Sequence, residues 1–110
     1  MSNGPAPLFT DPAYFLPFVT PLTASTTVVS VDPTSIPPGA SGAIISNAPG
    51  GGAVHFGYGT NPSTAVGVPI LAGEGVVIED IQDMTQLRFI RQSTTDGLLT
   101  FHFIAMKNKR

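Results

Sequence analysis

Positive charge is missing from most of this 110-residue chain. The first 87 residues contain no lysine or arginine, and the five cations are Arg88, Arg91, Lys107, Lys109 and Arg110. Charged residues make up 11% of the chain, against about a quarter in an average soluble protein. With a net charge of −2, the chain lacks the basic face that a nucleic-acid binder needs, so we expect no nucleic-acid partner. Much of its surface must be neutral or covered by another molecule.

Cysteine is also absent, which excludes disulfides, thiolate nucleophiles and cysteine-ligated metals. The longest uncharged stretch, residues 12–31, is interrupted by Pro17 and Pro21. It therefore falls short of the roughly 20 consecutive apolar residues of a membrane helix, and we expect no membrane partner. Residues 1–10 have neither a cation nor an unbroken apolar run, so no secretion signal is expected.

Proline is frequent at the beginning of the chain, with five prolines in residues 1–24. Prolines remove amide donors and disfavour helices and central strands. We therefore expect residues 1–24 to form an extended arm, followed by a domain over residues 25–110. The arm is rich in large apolar groups, and burying such a side chain is worth about 1.5–3 kcal/mol. The predicted partner-binding residues are Phe9, Tyr14, Phe15, Leu16 and Phe18.

After the arm, short β-rich runs alternate with proline, glycine and asparagine breakers. This rhythm predicts an all-β fold, a compact β-sandwich or jelly-roll-like domain of about seven strands. The predicted strands are Thr26–Val31, Ala43–Ser46, Ala53–Tyr58, Val66–Leu71, Gly75–Glu79, Gln86–Gln92 and Leu98–Met106.

The last two predicted strands are separated by Thr95, Asp96 and Gly97, which is a hairpin signal because glycine adopts positive φ readily. We therefore expect these strands to pair with each other. Arg88 and Arg91 are three residues apart, so they cannot share one face of a regular strand. We expect an acidic partner for one of them, or a β-bulge. Only residues 79–84 are compatible with a helical turn.

Few residues suggest chemistry. His55 and His102 lie among aromatic residues, and without a third ligand at motif spacing we interpret them as structural, so no metal is expected. Glu79, Asp80 and Asp83 match no EF-hand spacing, and we expect them to be solvated or to steer a basic partner surface. No Gly-x-Ser-x-Gly elbow occurs, so we expect neither catalytic residues nor a cofactor.

The stretches Ala53–Gly59 and Gly67–Glu74, followed by Val76–Ile78, resemble small tailed-bacteriophage proteins that decorate or cement capsids. The resemblance is a pattern of strand, glycine turn and Pro-Ile-Leu-Ala-Gly-Glu corner over residues 44–106. It implies a β-sandwich or jelly-roll knob, often trimeric, that binds at symmetry axes of a capsid shell. The family offers no catalytic residues.

The leading hypothesis is therefore a non-enzymatic virion protein that stabilises a shell from its outer surface, with the arm as anchor. Its expected partners are the major capsid protein or another shell protein and two further copies of itself, assembled in a host cytoplasm. An alternative is a carbohydrate-binding or adhesion module that uses Phe56 and Tyr58. A histidine-based enzyme is the second alternative, and it requires His55 and His102 to meet beside an acid in a pocket.

Overall fold

The computed structural model describes residues 13–79 and 83–106. Seven strands form, and two short 3-10 helices span Pro33–Ser35 and Met84–Gln86. The strands are β1 (Ala13–Ala24), β2 (Gly42–Asn47), β3 (Val54–Tyr58), β4 (Val68–Ile70), β5 (Gly75–Ile78), β6 (Leu87–Arg91) and β7 (Gly97–Met106).

The strands form two antiparallel sheets that share one core. The four-stranded sheet has the order β1-β7-β2-β5, and the three-stranded sheet has the order β4-β3-β6. Val29 adds an isolated bridge to Phe89 of β6, so the chain crosses to the second sheet and back between β1 and β2. This is the strand order of a jelly roll whose second strand is reduced to a bridge. The predicted all-β, jelly-roll-like sandwich is confirmed, and no helix of the described residues is long and apolar enough to cross a membrane.

The core forms from alternate residues of the strands, because successive side chains of a strand point to opposite faces. In β7, Leu99, Phe101 and Phe103 are fully buried. Phe101 meets Phe89 of the opposite sheet edge to face, with the ring centroids 5.5 Å apart, an arrangement that aromatic quadrupoles favour. The remaining buried members of the core cluster are Ala24, Val31, Ala43, Ile45, Val54, Ile70, Met84 and Leu87.

Half of the segment predicted as an arm is a sheet strand. β1 pairs with β7 from Ala13 opposite Met106 to Ala24 opposite Gly97, with a register shift between Phe15 and Val19. β1 tolerates Pro17 and Pro21 because it is an edge strand, and an amide on the open side of such a strand makes no ladder hydrogen bond. Residues 1–12 lie outside the described residues.

The predicted strand over residues 26–31 is reduced to the bridge at Val29. Val29 exchanges two backbone hydrogen bonds with Phe89, and Ser25 accepts one more from Arg91. The pairing then stops because Asp32 and Pro33 begin a 3-10 helix, in which the Asp32 side chain accepts a hydrogen bond from Thr34.

The predicted pairing of the last two strands is wrong, because β6 and β7 belong to different sheets. The segment between them turns a corner of the sandwich, where Asp96 forms an ion pair with Arg91 at 2.7 Å. That pair confirms the expected acidic partner for one arginine. Gly97 is required for space and not for positive φ, since an added Cβ there would collide with a methyl group of Val54.

One buried amide joins both sheets. Asn47 is 2% exposed, and its Nδ2 donates to the carbonyl oxygens of Gly52 and Ile70 at 2.8 and 3.1 Å. Its Oδ1 accepts from the backbone N–H of Leu98 at 3.3 Å. The side chain at the end of β2 therefore holds the β2–β3 connection, the end of β4 and the start of β7.

Replacing Asn47 with alanine removes these partners from two buried carbonyls and from the part-buried amide of Leu98. Each unsatisfied group costs about 1–3 kcal/mol, so we expect Asn47→Ala to lower the free energy of unfolding by about 3 kcal/mol or more. The measurement is urea unfolding followed by circular dichroism. The exposed Asn61 makes one side-chain hydrogen bond, to Arg88, and Asn61→Ala should cost less than about 1 kcal/mol. Equal losses in the two variants would contradict the role of Asn47.

Candidate interaction surface

The four-stranded sheet exposes a row of side chains on its outer face, which points away from the core. Its members lie on four adjacent strands: Val19 is opposite His102, His102 is opposite Ile44, and Ile44 is opposite Val77. We call these four residues the outer row. Its two ends are the most open, with Val19 59% and Val77 52% exposed. His102 and Ile44 between them are half-buried.

No aspartate, glutamate, lysine or arginine occurs in any strand of this sheet. Beside the outer row lie small or hydroxyl-bearing residues, with Thr100 opposite Pro21 on one side and Ser46 on the other. An isolated exposed valine is normal on a protein surface, whereas a sheet face without a formal charge is unusual. Because interface cores are depleted of charged residues, this face has the composition of a docking surface.

The outer face of the three-stranded sheet is different, because a loop folds over it. His55 on this face is 6% exposed, with its Nδ1 2.9 Å from the carbonyl oxygen of Ser63. Arg88 is held by the side-chain oxygens of Asn61, at 3.0 Å, and Gln86, at 3.2 Å. The outer face of the three-stranded sheet therefore carries a cation and a covering loop. It is polar, whereas the outer face of the four-stranded sheet has no formal charge.

Most of the predicted partner-binding side chains lie outside what the structure describes. Phe9 is outside the described residues, and for Tyr14, Phe15 and Phe18 only the backbone positions in β1 are described. Leu16 is half-buried and packs against the core of its own chain. The structure therefore brings Leu16 to the interior, and the partner-binding role of all five residues stays a prediction.

The two histidines are far from each other. His55 lies on β3 and His102 on β7, in different sheets, and both occupy outward positions, so the thickness of the sandwich separates them. Sheets pack about 10 Å apart, which rules out a shared metal ion or a joint catalytic site. Within residues 13–79 and 83–106, no group of three metal-ligating side chains assembles.

The predicted acidic loop is divided between different environments. Glu79 is exposed at the end of β5, and Asp80 lies outside the described residues. Asp83 caps a 3-10 helix, where its Oδ1 accepts hydrogen bonds from the Thr85 backbone at 3.0 Å and the Thr85 hydroxyl at 2.5 Å. The Thr85 hydroxyl and amide lower the pKa of Asp83 below its usual value. The Thr34 amide, and then its hydroxyl, likewise lower the pKa of Asp32.

These two caps predict an acid-sensitive contribution to stability. A carboxyl whose folded pKa is depressed stabilises the fold above its unfolded pKa, and this contribution disappears as the pH falls through the folded pKa. The combined variant Asp32→Ala and Asp83→Ala should therefore have a lower Tm than the native chain near neutral pH. The difference should narrow as the pH falls through the lowered pKa values of the two carboxyls. Calorimetry from neutral to acidic pH measures it, with Glu79→Ala as the control because its carboxylate caps neither helix. A Tm difference as large in acid as at neutral pH would contradict the assignment.

No family model matches the chain, and comparisons with curated proteins and with solved structures find no match either.

The outer row is the feature that sequence reasoning missed. The sequence predicts Val19 as part of the arm, and it assigns Ile44, Val77 and His102 to no surface. The available signal was the absence of charge from four separate strands, but their adjacency depends on a strand order that the sequence does not state. The predicted pairing of β7 with β6 would place His102 in a sheet that carries Arg88 and Arg91.

Proposed function

We propose that the chain is a non-enzymatic structural protein that binds the outer surface of a virus capsid as a homotrimer and stabilises the shell. The observation that carries this proposal is the uncharged outer face of the four-stranded sheet. A docking surface without formal charges avoids the desolvation penalty that ionised groups would impose. The resemblance over residues 44–106 to phage decoration proteins supplies the kind of partner.

The jelly-roll strand order is compatible with this proposal, since viral capsid proteins commonly use it, but lectins use it too. Fold alone therefore does not choose between shell binding and sugar binding. Of the two aromatic residues that a carbohydrate site would use, Phe56 packs against the core, with its ring 5.8 Å from that of Phe89. Phe56 therefore contributes to the interior, and only Tyr58 of the pair is exposed. This arrangement favours protein docking.

A charge placed in the outer row should disrupt association without unfolding the chain. Val19 is exposed, so Val19→Asp adds no buried charge to the isolated domain but buries one at the interface. We expect the native protein to have three times the 11.4 kDa chain mass, or to bind capsids stably. Val19→Asp should lose whichever of these two assemblies the native chain makes. Native mass spectrometry and sedimentation with purified capsid particles measure the two.

The matched control is Val66→Asp, which introduces the same charge at a valine that is 70% exposed but lies in the loop before β4. It should assemble as the native chain does, and circular dichroism should show both variants folded. Unchanged assembly of Val19→Asp would exclude the outer row as the docking surface. A native chain that stays monomeric and never sediments with capsids would contradict the proposed function itself.

A further inference from the structure

β4 and β5 are consecutive edge strands that belong to different sheets. In the described part of the chain, β4 pairs with β3 and β5 pairs with β2. We call residues 67–79 the strap, because this segment passes from one sheet to the other. Ten of its thirteen residues are exposed, Val76 and Ile78 are half-buried, and Ile70 is buried. The strap therefore contributes far less to the shared core than the strands on which it lies.

One residue of β2 holds the middle of the strap. Asn47 donates its backbone N–H to the carbonyl oxygen of Glu74 and accepts from the N–H of Gly73, both at 2.8 Å. Its Nδ2 donates to the carbonyl oxygen of Ile70 at 3.1 Å. Within the turn, Leu71 and Glu74 are joined by two hydrogen bonds, at 2.9 and 3.0 Å. Asn47 thus holds the end of β4 and the start of β5 through one tight turn, so loss of these contacts releases both strands together.

The chain on each side of the strap has attachments of its own. Before the strap, the carbonyl oxygen of Ser63 lies 2.9 Å from Nδ1 of His55, and Pro62 is buried. After the strap, Met84 is 3% exposed and belongs to the core. These flanking contacts do not depend on the strap. A segment with few buried side chains opens at a lower free energy than the whole domain.

We propose that the strap opens as one unit while the rest of the sandwich stays folded. Opening separates β5 from β2 and β4 from β3, and it frees an edge of each sheet. Neither β2 nor β3 contains a proline. The other edge of the four-stranded sheet differs, because β1 carries Pro17 and Pro21, which offer no amide to an incoming strand. The inference goes beyond the proposed function and does not depend on it. Since Val77 lies in the strap, the outer row is complete only while the strap is closed.

Amides of β2 alternate between the strap and β7, which gives an internal comparison within one strand. Hydrogen-bonded pairs of an antiparallel ladder recur every second residue, and Asn47 donates its N–H to the strap. Ile45, opposite Val76, therefore also directs its N–H toward the strap, whereas Ile44 directs its N–H toward β7. In amide hydrogen exchange measured by NMR on the full chain, we expect Ile45 and Asn47 to exchange about tenfold or more faster than Ile44, after correction for intrinsic rates.

The amide of Phe56 tests whether β4 and β5 leave together. Gly59 donates its N–H to Gln86 on the β6 side of β3, so by the same alternation Phe56 directs its N–H toward Val68 of β4. Ile45 and Phe56 lie in different sheets, yet opening of the strap exposes both amides in one event. We expect one opening constant for the two amides, with the same dependence on low urea concentrations. Distinct values would overturn the proposal, and so would exchange of Ile45 as slow as that of the amides facing β7.

Proteolysis gives a second readout, because the two glutamates of the chain, Glu74 and Glu79, both lie in the strap. A glutamate-specific protease therefore cuts the chain nowhere else. Cleavage after Glu74 requires the turn and its flanking strands to leave the sheets, and its rate reports the population of the open form. We expect this cut, identified by mass spectrometry, under conditions in which circular dichroism shows the domain folded.

Two matched variants separate opening of the strap from unfolding of the domain. Ile70→Val removes one methyl group from the buried side chain of the strap and should accelerate cleavage about three- to tenfold. Ile104→Val removes the same group from a side chain of β7 that is 1% exposed. It should lower the urea midpoint of unfolding and leave the cleavage rate unchanged. Equal acceleration by the two variants would show that cleavage follows global unfolding, and the proposal would be wrong.

Discussion

The fold depends on satisfying one buried amide. Asn47 lies where the two sheets meet, and its side chain reaches backbone groups of Gly52, Ile70 and Leu98. An unpaired polar group in such a position is costly, so the three segments must arrive together for the amide to be buried at all. Burial of the apolar core supplies attraction that has no direction of its own. The amide adds directional bonds, because its three partners lie on three separate segments of the chain.

Around that junction the sandwich is built with two unlike faces. The three-stranded sheet carries Arg88 and Arg91 and lies under a loop fixed to His55 through Ser63. The four-stranded sheet exposes valines, small residues and hydroxyls on its outer face. Among the described residues, the formally charged side chains lie in loops and in the three-stranded sheet. A partner bound to the outer face of the four-stranded sheet, as we propose, would therefore be held by shape and apolar area.

Features that depend on neighbouring residues could be predicted from the sequence, and features that depend on distant strands could not. The alternation of apolar and polar residues, with breakers on each side, predicts β2 to β7 within a few residues of their observed ends, because strand periodicity is a local property. The sequence predicts an arm where β1 forms, because Pro17 and Pro21 disfavour a central strand. Proline is accepted in an edge strand, and the sequence does not show that β1 lies at an edge. The segment from Thr95 to Gly97 predicts a hairpin but forms a corner between the two sheets, because tight turns and sandwich corners favour the same residue types. The outer row was hidden for a related reason, because Val19 and Ile44 are neighbours only when β7 lies between their strands.

The position of β7 also has a consequence for how the protein is made. β7 lies between β1 and β2 in the four-stranded sheet, yet it is the last of the strands to leave the ribosome. Until it does, β1 has no neighbour in its sheet, and its apolar residues have no sheet partner while the strands between β1 and β7 are synthesised. The pairing of β1 with β7 closes a long loop, and the entropy cost of that closure arises only when β7 has been synthesised. The prolines that protect the β1 edge in the finished sheet therefore also protect the nascent chain from premature strand pairing.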